Sequence, residues 1–413
     1  LGITRGGGGD NRPAATVRVR RTRFRGTFTC AGHGFIIYDG VLYMTTVRRS
    51  FLMNAAALSV AYTLPVLGQA QTAPAQRQFN PQPGTWRTFE VTTRVDVQQA
   101  DGATRVWLPV PSVDTDWQQS LDSRYSSNGQ TRMGADSHYG AKFLSVTFAA
   151  GEKQPWVEIT SRIQTRNRAV DWAARKPAQE DAATLKFWTQ PTTLLPTDGI
   201  VRKTALEATR GAKTDVEKAR AIYDWVVANT YREPKTRGCG EGDIKAMLES
   251  GNLGGKCADL NAIFVGLCRA VGLPARDVYG LRLVPSAFGY KELSGNPASL
   301  KGAQHCRAEV YLKDYGWVAA DPADVAKVMR LETAEWIKNT KHPVVAPVNQ
   351  ALFGGWEGNW LAWNMAHDVA LPGAQGPKLG FLMYPVCETA GERLDSYSPD
   401  AFRYQITARE ITA

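Results

Sequence analysis

The chain has 413 residues, 43% hydrophobic and 21% charged, a composition that excludes a disordered polymer and a length that predicts two folded units. The net charge of +10 does not mark a nucleic-acid binder, because residues 1–70 hold nine arginines against two acidic residues, leaving 40 basic and 37 acidic residues, or +3, for 71–413. A nearly neutral body with no basic-aromatic stripe offers no footprint for a phosphate backbone.

Residues 1–43 are Gly/Arg-rich and lie upstream of a signal-like segment, so they are read as an upstream extension or disordered segment, with Met44 as the expected start; Cys30 and His33 then have no role. Segment 44–70 reads as a twin-arginine-type signal peptide. It contains Arg48-Arg49-Ser50-Phe51-Leu52-Met53, then an apolar stretch over 55–67, then Gly68-Gln69-Ala70, with cleavage expected after Ala70. That stretch is shorter than the roughly 20 apolar residues a membrane span requires. The expected destination is the periplasm or the exterior, without stable membrane insertion.

An Ala/Gln/Pro-rich linker, 71–85, is expected to be disordered. Over 86–170 short runs alternate apolar and polar residues, as in Phe89-Glu90-Val91-Thr92-Thr93-Arg94-Val95 and Trp156-Val157-Glu158-Ile159-Thr160, with Asp101-Gly102 and Asn128-Gly129 as turns. Period two predicts an N-terminal β-rich domain. A core over 171–330 opens with helices. Thr214-Asp215-Val216-Glu217 is a capping box, and Val216, Ala219, Tyr223, Val226 and Val227 recur at helical spacing. A second helix is expected from Asp243 to Ser250, stopped by Gly251. A third begins after Gly254-Gly255-Lys256, at Cys257, and ends before Gly272 and Pro274. Strand-like 275–283 and a Ser/Gly/Asn/Pro-rich loop follow, then two strands, 305–312 and 316–320, around the turn Lys313-Asp314-Tyr315-Gly316. The last segment, 331–413, is read as an extension packing on the core, with 402–411 a strand returning to a sheet.

A cysteine attacks as thiolate, and a helix N-terminus favours that negative charge, which makes Cys257 the candidate nucleophile. The Gly-Gly approach lets the backbone bend tightly, and the Cys257 N–H is a candidate oxyanion donor. His305 begins one hairpin strand and Asp321 follows the other, so both fall at one end, the relation a base and its orienting carboxylate require. Asp324 is an alternative for the third role, since register is not readable here. A lone Cys, His or Asp is more often structural; the joint spacing changes that balance.

These residues resemble the transglutaminase-like superfamily. The matching pieces are Gly255-Lys256-Cys257-Ala258-Asp259, His305-Cys306-Arg307-Ala308-Glu309-Val310-Tyr311-Leu312 and Gly316-Trp317-Val318-Ala319-Ala320-Asp321-Pro322, within 215–325. The resemblance implies an α+β fold with a papain-like transglutaminase core, the Cys-bearing helix packed on an antiparallel sheet, and a Cys257–His305–Asp321 triad. It also implies a thiol-dependent hydrolase or acyltransferase acting on amide bonds of a peptide, protein or cell-wall peptide. Hydrolysis is the favoured outcome because water is always available and nothing in the sequence indicates an amine-binding pocket, and with four scattered histidines in 71–413 no cofactor or metal is expected. Members of the family differ in reaction and some have lost activity, so an inactive binding module is the alternative. Tyr231 stands near the place of an aromatic oxyanion donor in relatives, though core packing is the competing role. The residue after the base is often apolar or aromatic in the family, whereas here Cys306 is followed by Arg307, which is read as a solvated strand residue against the alternative of a group that holds an anionic substrate.

Trp356, Trp360 and Trp363 are candidates to line a substrate cleft, against the alternative that they seal a core. His367 and Asp368 are not assigned to catalysis. Cys239, Cys268, Cys306 and Cys387 allow up to two disulfides in an oxidising compartment, with three pairings open, and the absence of Cys-Xaa-Xaa-Cys weakens a zinc site.

Overall fold

Alternation in the N-terminal half becomes two antiparallel sheets. Arg87–Val97, whose residues alternate between buried and half-exposed, lies between Phe402–Ile411 and Trp156–Thr165, and Gln118–Ser127 completes this four-stranded sheet. The second sheet runs in the order Glu392–Arg393, Val386–Thr389, Thr104–Pro109, Lys142–Phe148, Gln130–Ala135. Apolar faces of both, including Val91, Val95, Val106, Leu108, Val146 and Ile159, share one core. In this computed structural model the described residues are 77–177, 179–398, 400 and 402–411, with the backbone of three short antiparallel strands, Phe28–Cys30, His33–Tyr38 and Val41–Thr45. The arginine pair, the apolar stretch and the cleavage site of the expected signal lie outside the described residues.

Two expected boundaries are corrected. The C-terminal segment does not all pack on the core: Cys387 pairs with Val106 and Tyr404 with Val95, so its last strands are integral to the N-terminal sheets. Antiparallel partners far apart in sequence leave no mark in spacing. Nor is the linker wholly without structure: from residue 77 onward it is described, with Phe79 buried against Phe288 and Tyr290 and Arg77 paired with Glu332.

The remainder confirms an α+β fold. The Thr214 capping box forms, with Thr214 Oγ1 accepting from the Glu217 N–H at 3.2 Å and the Glu217 carboxylate accepting from the Thr214 N–H at 3.0 Å, and it starts the helix Asp215–Asn229. Ile244–Ser250 is capped by Asp243 and ends at Gly251 in the left-handed region. Every residue of the helix Cys257–Ala270 is buried, the signature of a central helix rather than an amphipathic one. It lies on a four-stranded antiparallel sheet ordered Gly316–Ala320, Gln304–Leu312, Ala275–Arg282, Trp360–Asn364. Among the described residues no helix is long and apolar enough to cross a membrane.

Candidate active site

The hairpin places His305 and Asp321. Ala308 pairs with Ala320, so Asp321, the next residue, falls opposite Arg307, and His305 lies two residues further along the same face. Asp321 also caps the helix Pro322–Leu331, its Oδ1 accepting from the Asp324 N–H at 3.0 Å, which fixes its side chain. Its Oδ2 lies 2.7 Å from His305 Nε2, and the Asp324 Oδ2 lies 3.3 Å from the same nitrogen. The expected choice between the two carboxylates therefore does not arise: the imidazole touches both. Both carboxylates engage Nε2, which leaves Nδ1 as the ring nitrogen available to the thiol.

The surroundings balance this charge. Arg282 pairs with Asp324, and Arg307 Nε lies 3.6 Å from Asp321 Oδ2. Asn261, one helical turn beyond Cys257, donates to the Cys306 carbonyl at 2.7 Å and to Asp321 Oδ1 at 3.3 Å, tying the helix to the hairpin. Trp360 Nε1 donates to the His305 carbonyl at 2.9 Å. That approach needs Gly280, the partner of His305 across the sheet, because a Cβ there would lie 2.3 Å from the Trp360 ring. Asp259 accepts from the Lys256, Glu241 and Gly242 N–H groups, each at 2.9 Å, and holds the 239–242 loop against the helix start.

Protonation follows from these partners. Burial pushes the Cys257 thiol up, but hydrogen bonds with Cys239, Cys306 and His305, and the charge of His305, outweigh it and hold the thiol well below its ordinary range. Burial and Arg282 push His305 down, yet Asp324 and Asp321 raise it to about 9. Asp324 is held well below the usual carboxylate range, since Arg282 and His305 overcome burial, whereas burial and the neighbouring Asp324 push Asp321 up. With all groups ionised, the thiolate and two carboxylates face an imidazolium and two guanidiniums. His305, Asp321 and Asp324 have ligand atoms within 4.8 Å of one another and are the cation-type grouping among the described residues. Their oxygens are already committed to Arg282, Arg307 and the imidazole, which leaves a poor donor set for a metal.

Two readings from sequence are corrected. Trp356, Trp360 and Trp363 line no cleft: they are 1%, 1% and 2% exposed, and Trp117, Trp356 and Trp360 form one aromatic cluster. Arg307 is not solvated; it is 2% exposed, lies over the Trp356 and Trp360 rings and donates to the Glu357 carbonyl at 3.0 Å. Burial with Asp321 only partly compensating brings it down to about 10. Tyr231 has its hydroxyl on Asn252 Oδ1 at 3.3 Å and its ring against Trp336 and Gly254, contacts that involve no member of the triad. His367 and Asp368 belong to other surroundings, His367 beside Asp277 and Asp368 accepting from the Thr193 N–H. All five cysteines among the described residues are free and buried. Asn261, Arg282 and Cys239 were not indicated by the sequence as site residues, having no spacing that singles them out.

The arrangement defines a class: an α+β protein in which a central helix presents a buried cysteine to a histidine and two carboxylates on an antiparallel sheet. Residues 202–322 match the transglutaminase-like superfamily, and the chain belongs to that superfamily. It is 32% identical over 343 residues to a protein of uncharacterised function from Haemophilus influenzae, covering 78% of this chain and 91% of the relative. Similar solved structures include a candidate cysteine protease from Cytophaga hutchinsonii, at 15% identity and TM-score 0.45, covering 79% of this chain and 99% of that one. Another is the periplasmic domain of TgpA from Pseudomonas aeruginosa, at 17% identity and TM-score 0.30, covering 62% of this chain and 94% of that one.

Proposed function

We propose that the chain is a thiol-dependent hydrolase or acyltransferase that cleaves amide bonds of peptides or proteins through a thioester at Cys257, with water the principal acceptor. The observation that carries this reading is the 2.7 Å contact of His305 Nε2 with Asp321 at the buried start of the Cys257 helix, where the charge of His305 helps hold the thiol low and the imidazole itself is held high. The thiolate attacks the carbonyl carbon, and the Cys257 N–H, one of the helix's unpaired first-turn amides, faces the developing oxyanion. His305 gives its proton to the leaving amine and then takes one from the water that opens the thioester. Asp321 holds the imidazole in the orientation this requires. Cys257 is 2% exposed and His305 4%, so a substrate carbonyl reaches the sulfur only after part of the cover moves. Export to the periplasm, and peptide bonds of proteins or cell wall as substrates, complete the proposal.

The test is the pH dependence of Cys257 alkylation by iodoacetamide, followed by peptide mass spectrometry in the wild type and in His305→Ala. Fast labelling well below pH 8 that is lost in the variant supports an activated pair. The near-complete burial of the thiol favours a second reading, an inactive binding module. Labelling only near the value of a free thiol, and unchanged by the substitution, would establish it instead.

A further inference from the structure

We propose that Cys239 is a resolving thiol for Cys257, closing a reversible disulfide onto the nucleophile after a hydroperoxide has oxidised it. The inference rests on the reading of Cys257 as a thiolate nucleophile. Cys239 sits in a loop whose neighbours Arg237, Gly238 and Gly240 are exposed or half-exposed, yet it is itself 5% exposed and turned inward. Its carbonyl accepts from the Ala258 N–H at 2.9 Å. That bond brings the backbone of Cys239 to the residue beside the nucleophile. Both thiols lie in one buried cluster, and the Cys239 S–H donates to the carbonyl of Gln304, the residue before His305, at 3.3 Å. Tyr384 donates its hydroxyl to Cys239 Sγ at 2.9 Å, a bond that stabilises negative charge on this sulfur as it attacks.

The third buried thiol of the group, Cys306, is placed differently. It lies inside the strand Gln304–Leu312, paired with Tyr279 and with its carbonyl bonded by Asn261. Cys239 is instead flanked by Gly238 and Gly240, at φ +55° and +93°, so its backbone can adjust when a bond forms. Reactivity is also unequal. A hydrogen bond to Cys257, with burial, raises the Cys239 thiol well above its ordinary range, so Cys257 is the sulfur that meets an oxidant first.

In the first step the Cys257 thiolate attacks one peroxide oxygen. The O–O bond breaks, sulfur loses two electrons to the peroxide, an alcohol or water leaves with the proton carried by the His305 imidazolium, and a sulfenic acid forms. In the second, Cys239 gives up its proton and attacks the sulfenic sulfur, the S–O bond breaks, and water leaves as the S–S bond forms. The sum is two thiols and one hydroperoxide converted to one disulfide, one alcohol or water, and one water.

The experiment titrates the full chain with hydrogen peroxide and maps the products by mass spectrometry, with iodoacetamide labelling of Cys257 before peroxide, after it, and after dithiothreitol. The expected wild-type result is loss of labelling, a cross-linked pair of peptides containing Cys239 and Cys257, and recovery of about nine-tenths of the labelling on reduction. In Cys239→Ser the oxidation proceeds to sulfinic acid at Cys257, and recovery falls to about a tenth or less. A Cys257–Cys306 cross-link in the wild type, or full recovery in Cys239→Ser, would overturn the assignment. If Cys257 fails to label rapidly before peroxide, the nucleophile reading falls and takes the inference with it. Rapid labelling with no Cys239–Cys257 bridge overturns the inference alone.

Discussion

Two buried histidine–carboxylate pairs flank the strand Ala275–Arg282, and their charges are opposite in tendency. His305 lies across from Gly280 and is raised to about 9, whereas His367, beside Asp277, is held well below its ordinary range by burial and Arg269. Burial is nearly the same, 4% and 2% exposed. The partners differ. His305 meets carboxylates at 2.7 and 3.3 Å, each with a guanidinium close by. His367 has one carboxylate oxygen at 3.4 Å, and neither oxygen of Asp277 makes a hydrogen bond, so burial raises that acid to about 7. Enclosure neutralises a lone pair of groups, and only a compensated network keeps them ionised. A thiolate needs the second condition, which the structure meets at the Cys257 end.

The largest expected effect comes from removing the charged imidazole. His305→Ala should lower turnover on an amide substrate by about 10³-fold, within the range of a positioned acid–base group. A loss under tenfold, measured on purified variant, would place the two histidines on an equal footing and undo the contrast.

Next is the compensation itself. Arg282→Ala leaves Asp324 buried without its guanidinium and should cost about 3–5 kcal/mol, read from urea unfolding. A cost below about 1 kcal/mol would mean that Asp324 takes up a proton as readily as Asp277, which burial raises to about 7.

The pH dependence of stability sharpens the same point. His305, raised from 6.5 to about 9, contributes stability fully present below 6.5 and lost as pH rises through about 9. Cys257, lowered from 9.0, contributes stability present above 9.0 and lost as pH falls through its depressed value. Between 6.5 and about 9 the folded pair holds one proton on His305 and the unfolded pair one on Cys257, so the pair adds no slope. In Cys257→Ala only the histidine contribution remains, and stability should fall with rising pH across that window relative to wild type. Parallel curves for the two proteins would contradict an imidazolium at His305.

The smallest effect belongs to the other pair. His367→Gln should leave Cys257 alkylation within about twofold of wild type, because a neutral, poorly bonded imidazole contributes no field to the thiol. A tenfold change would show that the two pairs are coupled through Tyr279, whose hydroxyl lies 3.4 Å from His367 Nδ1.

Much of the site was legible beforehand, for local reasons. Gly254-Gly255-Lys256 before an apolar helix places Cys257 at its start, and a hairpin with a short turn brings His305 and Asp321 to one end whatever surrounds it. The tryptophans and Arg307 were misplaced because a side chain's exposure depends on what packs over it. Arg307 reads as a surface strand residue until Trp356, Trp360 and the Glu357 carbonyl, some 50 residues later, enclose it. The C-terminal strand showed its alternation but not its partner, since Arg87–Val97 lies some 300 residues earlier in the chain.

By itself the sequence determined the capped helices around Cys257 and the hairpin that carries His305 and Asp321, since helix starts, caps and tight turns are set by residues within a few positions of one another. The tertiary structure alone decided which of those groups are charged. Arg282 beside Asp324, Asn261 on Asp321, Cys239 against Cys257 and the isolation of His367 with Asp277 all arise from segments far apart in the chain. Ionisation in a buried site depends on the sum of such neighbours, and spacing along a chain carries no record of them.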